Sequence, residues 1–258
     1  MCAEIEMHET TRKSLSVVLL CYNDASTIGD CVHRAFEFLE PVTSELQVIV
    51  VEDGSKDDSR QVLEQLTAQY SRLQVAVHSS NQGYGPSLGE GIRAARNQYV
   101  LCVDGDNQFD FRDAVRLLEL ADGRYEIISG CRRPRADPWY RRVLGWIYNQ
   151  AIRFFFSLPV QDVDCGFKLL DRRSAEYLFP LRSNIAAWVE AMIKAKKYKY
   201  RCGNILVHHR PRQSGRSTVF NWSGVTRLAW EVVSLGIYSI TPQRPPDAET
   251  PQPGARED

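Results

Sequence analysis

The runs LSVVLLCYN, LQVIVVEDGS and YVLCVDGD are apolar at successive positions rather than at every second one, so a strand made from any of them has no face to offer water. Strands of that kind need cover on both sides, which is what a parallel sheet between two helical layers provides. Helical patterns follow at the required places. Residues 25–40 come after the first run, 56–71 after the second, 86–97 after LQVAVHS and 111–122 after YVLCVDGD, with YEIISGC as a fifth strand. In the helix expected over 57–70, Val62, Leu63, Leu66 and Tyr70 share one stripe. Asp57 and Asp58 stand at its start, where a helix favours negative charge. The expectation for the N-terminal half is an α/β, doubly wound layer with a mostly parallel sheet flanked by helices.

Ligands of open parallel sheets bind outside the carboxyl ends of the strands. At those ends the chain places CYND, EDGSKDD, SSNQGYG and DGDNQ, four polar clusters that the fold should gather on one edge. In the last of them Asp104, Asp106 and Gln108 offer hard oxygen ligands at D-x-D-x-Q spacing, suited to Mg²⁺ or Mn²⁺ better than to zinc. Such an ion keeps positions open for substrate oxygens, and a diphosphate is the natural guest. The plainer account is a solvated turn with Asp104, Asp106 and Asp110 near a helix N-cap. The other clusters carry the same two readings. Asp53 and Gly54 make a strand–turn–helix junction or an acceptor for base and ribose. Asn81, Gly83 and Gly85 open a helix or let backbone approach a ligand. Tyr22, Asn23 and Asp24 offer stacking and polar contacts.

The second half is less regular. Residues 138–157 read as a helix with an aromatic stripe (Trp146, Tyr148, Phe154, Phe155, Phe156) expected to pack into the core, the other reading being the lining of a lipid or aromatic acceptor channel. LPVQDVDCGFKLL follows, then the helical IAAWVEAMIKAKKY and the strand-like YRCGNILVHHR. From Leu228 to Ile240 an apolar run interrupted by Glu231 is too short to cross a bilayer, which takes about 20 residues, and it suits a docked or interfacial amphipathic helix. The implied layout is a flexible 1–13, a catalytic domain over 14–218, that helix over 219–240, and a disordered Pro-rich tail over 241–258. Balanced charge, with 32 basic and 32 acidic residues, argues against a nucleic-acid partner. Seven cysteines without CxxC spacing, and an N-terminus lacking an apolar signal core, read as a reduced, cytoplasmic protein. His208 and His209 read as strand-end residues rather than ligands.

In this order, the four strand-end clusters resemble family 2 glycosyltransferases, whose nucleotide-sugar-binding fold is called GT-A. The residues that carry the likeness are Tyr22, Asn23 and Asp24, then Asp53, then Asn81, Gly83 and Gly85, and finally Asp104, Asp106 and Gln108. Downstream, SGCRRPRADPWYRR, DVDCGFKLLDRR, WVEAMIKA and HHRPRQSGRST look like parts of the dolichyl- and polyprenyl-phosphate sugar transferases. The resemblance implies that Tyr22, Asp24 and Asp53 hold base and ribose and that Asp104, Asp106 and Gln108 hold metal and diphosphate. It matches Arg132 to an arginine near the donor phosphates. It puts Asp162 and Glu190 in segments facing sugar and acceptor, and it matches Arg212, Arg216 and Ser217 to a phosphate-gripping loop. Many membrane-working relatives carry transmembrane helices after this domain, and the sequence shows none.

The implied reaction is transfer of a hexose from a nucleotide-diphosphate sugar, with inversion. A hydroxyl acceptor needs a general base, for which Asp162, Asp164 and Glu190 are the contenders. A phosphate-monoester acceptor is already ionised near neutrality and needs none, since its second pKa is about 6. Three functions stay open: transfer to polyprenyl phosphate at the cytoplasmic face of a membrane with peripheral contact, transfer to a small soluble hydroxyl acceptor, and a nucleotide-binding module without turnover. Oligomeric state is not legible.

Overall fold

The structure, a computed structural model, describes residues 12–132, 139–179, 181–211 and 222–240. Its first strands are β1 (Ser14–Cys21), β2 (Glu45–Glu52), β3 (Leu73–Val77) and β4 (Tyr99–Asp104), with β5 (Ile127–Arg132) after them. β1 is buried from Leu15 to Leu19, β2 from Leu46 to Glu52 and β4 from Tyr99 to Val103, as strands covered on both faces must be. Between them run α1 (Ile28–Leu39), α2 (Ser59–Gln69), α3 (Tyr84–Ala94) and α4 (Arg112–Leu120). In α1 the inward stripe is Ile28, Cys31, Val32, Ala35, Phe36 and Leu39, the i, i+3, i+4 repeat of a helix lying on a sheet. Each large aliphatic side chain so buried contributes about 1.5–3 kcal/mol.

The second half adds α5 (Trp139–Phe156), β6 (Lys168–Asp171), α6 (Arg172–Leu178), α7 (Ala187–Lys197), β7 (Cys202–Val207) and α8 (Trp222–Ile240). The sheet order is β3-β2-β1-β4-β6-β5-β7. β6 runs antiparallel between β4 and β5, while the other neighbours pair in parallel. The mostly parallel, doubly wound expectation holds, and β6 is the strand that the irregular GFKLL segment concealed. One core layer packs α1, α2 and α4 against the sheet, and the other packs α3, α6 and α7 with the inner faces of α5 and α8.

The aromatic stripe of α5 needs correction. Ile152 is buried, and Tyr148 and Phe156 pack on the core beside it at helical spacing. Trp146, Phe154 and Phe155 point the other way; Phe154 is 81% exposed. The sequence reading merged two faces of one helix. α8 divides similarly, burying Leu235 while Trp230, Val233 and Ile237 stay exposed. No helix among the described residues is long and apolar enough to cross a membrane.

Candidate active site

The chain steps from β1 outward to β2 and β3, then returns to place β4 on the other side of β1. Connections therefore leave the carboxyl ends of β1 and β4 in opposite directions and open a crevice there. The two tips are bolted together. Gly105 N–H donates to Leu20 O at 2.9 Å, and Thr27 Oγ1 donates to Gly105 O at 3.0 Å. A Cβ on Gly105 would stand 2.5 Å from Leu20 O, so glycine is what lets Asp104 and Asp106 flank so close a backbone approach.

The tips of β1 and β2 form one wall. Asn23, at φ 56°, accepts at Oδ1 from Lys56 N–H (2.8 Å), and its own N–H donates to Ser55 Oγ (2.9 Å). Asp24 N–H donates to Ser59 Oγ, Ala25 N–H donates to Asp57, and Asp24 Oδ2 accepts from Tyr22 N–H at 3.2 Å. Gly54 turns at φ 67°, where a Cβ would lie 2.5 Å from the Ser80 carbonyl carbon.

Asp53, suggested as an acceptor for base and ribose, is anchored within the protein. It is buried; its carboxylate accepts from Gln82 N–H (2.7 Å) and Gly83 N–H (2.8 Å) and meets His78 Nδ1 at 2.7 Å. Asn81 Nδ2 donates to Asp53 O. His78 Nε2 lies 2.6 Å from Glu90. Burial opposes charge on this imidazole, but the bonds to Asp53 and Glu90 outweigh it and raise its pKa above the ordinary value. Asp53 thus fixes the 82–83 loop. Gly83 and Gly85 also make room for protein: a Cβ at Gly83 would strike the Asn184 side chain, and one at Gly85 would strike Ser183 O.

Asp104 Oδ1 accepts from Tyr84 OH at 3.1 Å, and Tyr84 OH accepts from Trp188 Nε1 at 2.8 Å. Burial, and then the adjacent Asp104, push the Tyr84 pKa well above its ordinary value, so it stays a phenol and a donor. Asp106 is buried and accepts from Gln108 N–H. Gln108 turns its amide nitrogen to Arg210 O (2.9 Å), which leaves Oε1 as the atom it can offer a cation. Between them Asn107, at φ 57°, has a buried Oδ1 that finds no hydrogen-bond partner among the described residues. Oxygens alone make up this set, which fits Mg²⁺ or Mn²⁺. Among the described residues no group of three or more His, Cys, Asp or Glu is placed to hold a metal, so two carboxylates would leave coordination to substrate. Asp110 belongs to another cluster. Arg112 holds it bidentately, Arg210 Nη2 donates at 2.6 Å and Arg34 lies at 3.6 Å. The Arg112 bond, foremost, holds its carboxyl far below the usual range.

Across the crevice, Arg132 grips Asp162 with Nε (2.7 Å) and Nη2 (2.8 Å), both side chains being nearly buried. Glu190 is fully buried. Its Oε2 accepts from Arg182 and Ser183 N–H, and its Oε1 lies 3.0 Å from Lys194 Nζ, a charge contact off hydrogen-bond alignment. Asp164 is half-buried in the loop between them. Arg212, Arg216 and Ser217 lie outside the described residues. His208 N–H donates to Asp113 and its ring meets the same carboxylate, as a strand-end residue would.

Sequence reasoning missed Tyr84, Trp188, Gly166 and Lys168. A Cβ on Gly166 would collide with the Asp104 carboxylate. Lys168 is fully buried, donates to Val163 O (3.0 Å) and Cys165 O, and places Nζ 4.7 Å from the Trp188 ring centroid. Burial lowers its pKa. A lone charge inside the aliphatic GFKLL was its signal; Tyr84 and Trp188, 104 positions apart, had none.

The model of the family described as Glycosyl transferase family 2 matches residues 16–179. The glycosyltransferase AglD of Haloferax volcanii is 30% identical over 207 residues, covering 77% of this chain and 33% of that protein. The undecaprenyl-phosphate 4-deoxy-4-formamido-L-arabinose transferase of Pseudomonas fluorescens is 26% identical over 204 residues, covering 79% and 59%. The chain thus spans less than two thirds of either relative. Among solved structures, Mycobacterium tuberculosis glucosyl-3-phosphoglycerate synthase, in complex with Mn²⁺, uridine diphosphate and glucosyl-3-phosphoglycerate, superposes with a TM-score of 0.67 at 16% identity. That likeness covers 90% of this chain and 82% of that one, and it speaks for the GT-A-like fold. With its strand-tip crevice and a family match running from β1 into α6, the chain belongs to glycosyl transferase family 2.

Proposed function

We propose that this protein transfers a hexose, with inversion, from a nucleotide-diphosphate sugar to a polyprenyl phosphate. The wall of Tyr22, Asn23, Asp24 and Gly54 receives base and ribose, and Asp53 keeps the neighbouring 81–83 loop in place. Asp104, Asp106 and Gln108 would hold Mg²⁺ or Mn²⁺. When bound, the ion supplies positive charge against the departing diphosphate. Tyr84 fixes the Asp104 carboxylate by donating to Oδ1. Arg132, always charged, supplies a second positive group at the opposite wall, where Asp162 fixes its plane.

One observation favours a phosphate acceptor over a hydroxyl. Of the three carboxylates that might serve as base, Asp162 is clasped by Arg132, and Glu190 is fully buried, accepting two backbone N–H groups. Both are engaged with protein groups, which leaves Asp164 as the contender to be tested. A phosphate monoester attacks without a base. Exposed Trp146, Phe154 and Phe155 on α5 and Trp230 on α8 are aromatic side chains of the kind found at lipid headgroups, which favours peripheral contact with a membrane and a lipid-borne acceptor. The name of the Pseudomonas relative, an undecaprenyl-phosphate transferase, points the same way for that protein.

The test is a matrix of nucleotide sugars against polyprenyl phosphate and small hydroxyl acceptors, with Mn²⁺, for wild type and Asp164→Asn. The phosphate reading predicts product only on lipid phosphate and a kcat for Asp164→Asn within about threefold of wild type. A loss of 10²-fold or more, the usual weight of a general base, with product on a hydroxyl, establishes the soluble-acceptor alternative. No product and no donor hydrolysis in any combination would leave a nucleotide-binding module.

A further inference from the structure

α8 contributes one acidic side chain to the body of the protein. Glu231, with a side chain only 15% exposed, accepts at Oε2 from Asn184 N–H (3.1 Å) and Ala186 N–H (2.9 Å). Those amides precede α7, whose first turns leave N–H groups unsatisfied and favour a negative charge. Asn184 continues inward. Its Oδ1 accepts from Gly85 N–H and its Nδ2 donates to Gln82 O, each at 3.3 Å, so one amide spans both ends of the 82–85 turn. The fit is tight, since any side chain at Gly83 would strike Asn184. Within the turn, Gln82 and Gly83 N–H bind Asp53, and Tyr84 donates to Asp104.

We infer that Glu231 and Asn184 are positioning residues, through which α8 sets the 82–85 turn and with it the donor side of the crevice. α8 is then a strut of the site rather than an appendage. That this side receives the donor rests on the function proposed above; the mechanical link does not. Glu231 orients Asn184 through the backbone, Asn184 orients the turn, and the turn aims Tyr84 at the Asp104 carboxylate.

Hydrogen exchange resolved by peptide, on wild type, Glu231→Ala and Asn184→Ala of the full chain, tests it, together with titration of uridine diphosphate plus Mn²⁺. Both variants should speed exchange at Gln82, Gly83 and Gly85 by roughly tenfold or more, leaving β1, β2 and β4 protected. In Asn184→Ala the amides of α8 should keep wild-type protection, because the break lies inward of it. Affinity for the nucleotide and metal should fall about three- to tenfold in both, with KM for donor rising more than kcat falls. Unchanged exchange at 82–85 in both variants overturns the inference, as does an equal rise across the sheet, which marks global loosening. If wild type binds no uridine diphosphate while the turn loosens as expected, that nucleotide is wrong and the strut stands.

Discussion

The tips of β1 and β2 and the segment from 162 to 190 face one crevice and are held by different physics. At the tips, beside the buried carboxylates of Glu52 and Asp53, side-chain hydroxyls bind nearby backbone N–H groups, as Ser55 and Ser59 do for Asn23 and Asp24. Across the crevice the chain is held by buried charge: Arg132 on Asp162, Lys168 on two carbonyls, Glu190 on two amides. Neutral bonds of the first kind contribute about 0.5–1.5 kcal/mol each. Removing one partner of a buried ion pair costs about 3–5 kcal/mol, because the other charge is left uncompensated. Single substitutions of these hydroxyls should therefore be tolerated where loss of a buried charged group on the opposite side is not.

Arg132→Ala gives the sharpest contrast. It strands the Asp162 carboxylate and should lower unfolding free energy by about 3–5 kcal/mol in urea titration; a loss under 1 kcal/mol would break the comparison. Lys168→Met follows, at about 2–3 kcal/mol, because the carbonyls of Val163 and Cys165 lose their donor while a desolvated charge is also removed. Since that loop presses Gly166 on Asp104, Lys168→Met should also weaken Mn²⁺ binding, read by electron paramagnetic resonance. Ser55→Ala, on the opposite wall, should cost about 1 kcal/mol, and a cost matching Arg132→Ala would erase the distinction.

On the donor side His78, buried between Asp53 and Glu90, acts through pH. Its folded pKa is raised above the unfolded value near 6.5, so its contribution is complete below that pH and is lost as pH climbs through the folded value. Wild type should therefore exceed His78→Gln in stability by a margin that shrinks from pH 6 upward. A margin that grows with pH contradicts the pairing with Asp53 and Glu90.

The same contrast explains what the sequence made legible. Strand runs such as Leu15–Leu19 are apolar at every position but Ser16 and stripes such as Ile28–Leu39 follow the 3.6 period, so the first five strands and the first four helices could be read directly. The convergence of CYND, EDGS, NQGYG and DGDNQ followed from strand direction alone. Asp53 and the glycines at 83 and 85 were picked out as polar or flexible, yet their partners, His78 and Asn184, depend on loop closure that no spacing encodes. Lys168, Trp188 and Glu231 meet the site only through packing of distant elements. Periodicity also cannot tell which face of α5 a sheet will cover, and so the exposed Phe154 and Phe155 were taken for core.

The central claim is that Asp104 and Asp106 meet a single divalent cation that faces a nucleoside diphosphate. Crystals grown with uridine diphosphate and Mn²⁺, measured at the manganese edge, test it most directly. The account predicts one strong anomalous peak within coordination distance of a carboxylate oxygen of Asp104 or Asp106 and of the diphosphate. Bound nucleotide with no peak there, or a peak held only by other residues, would contradict it.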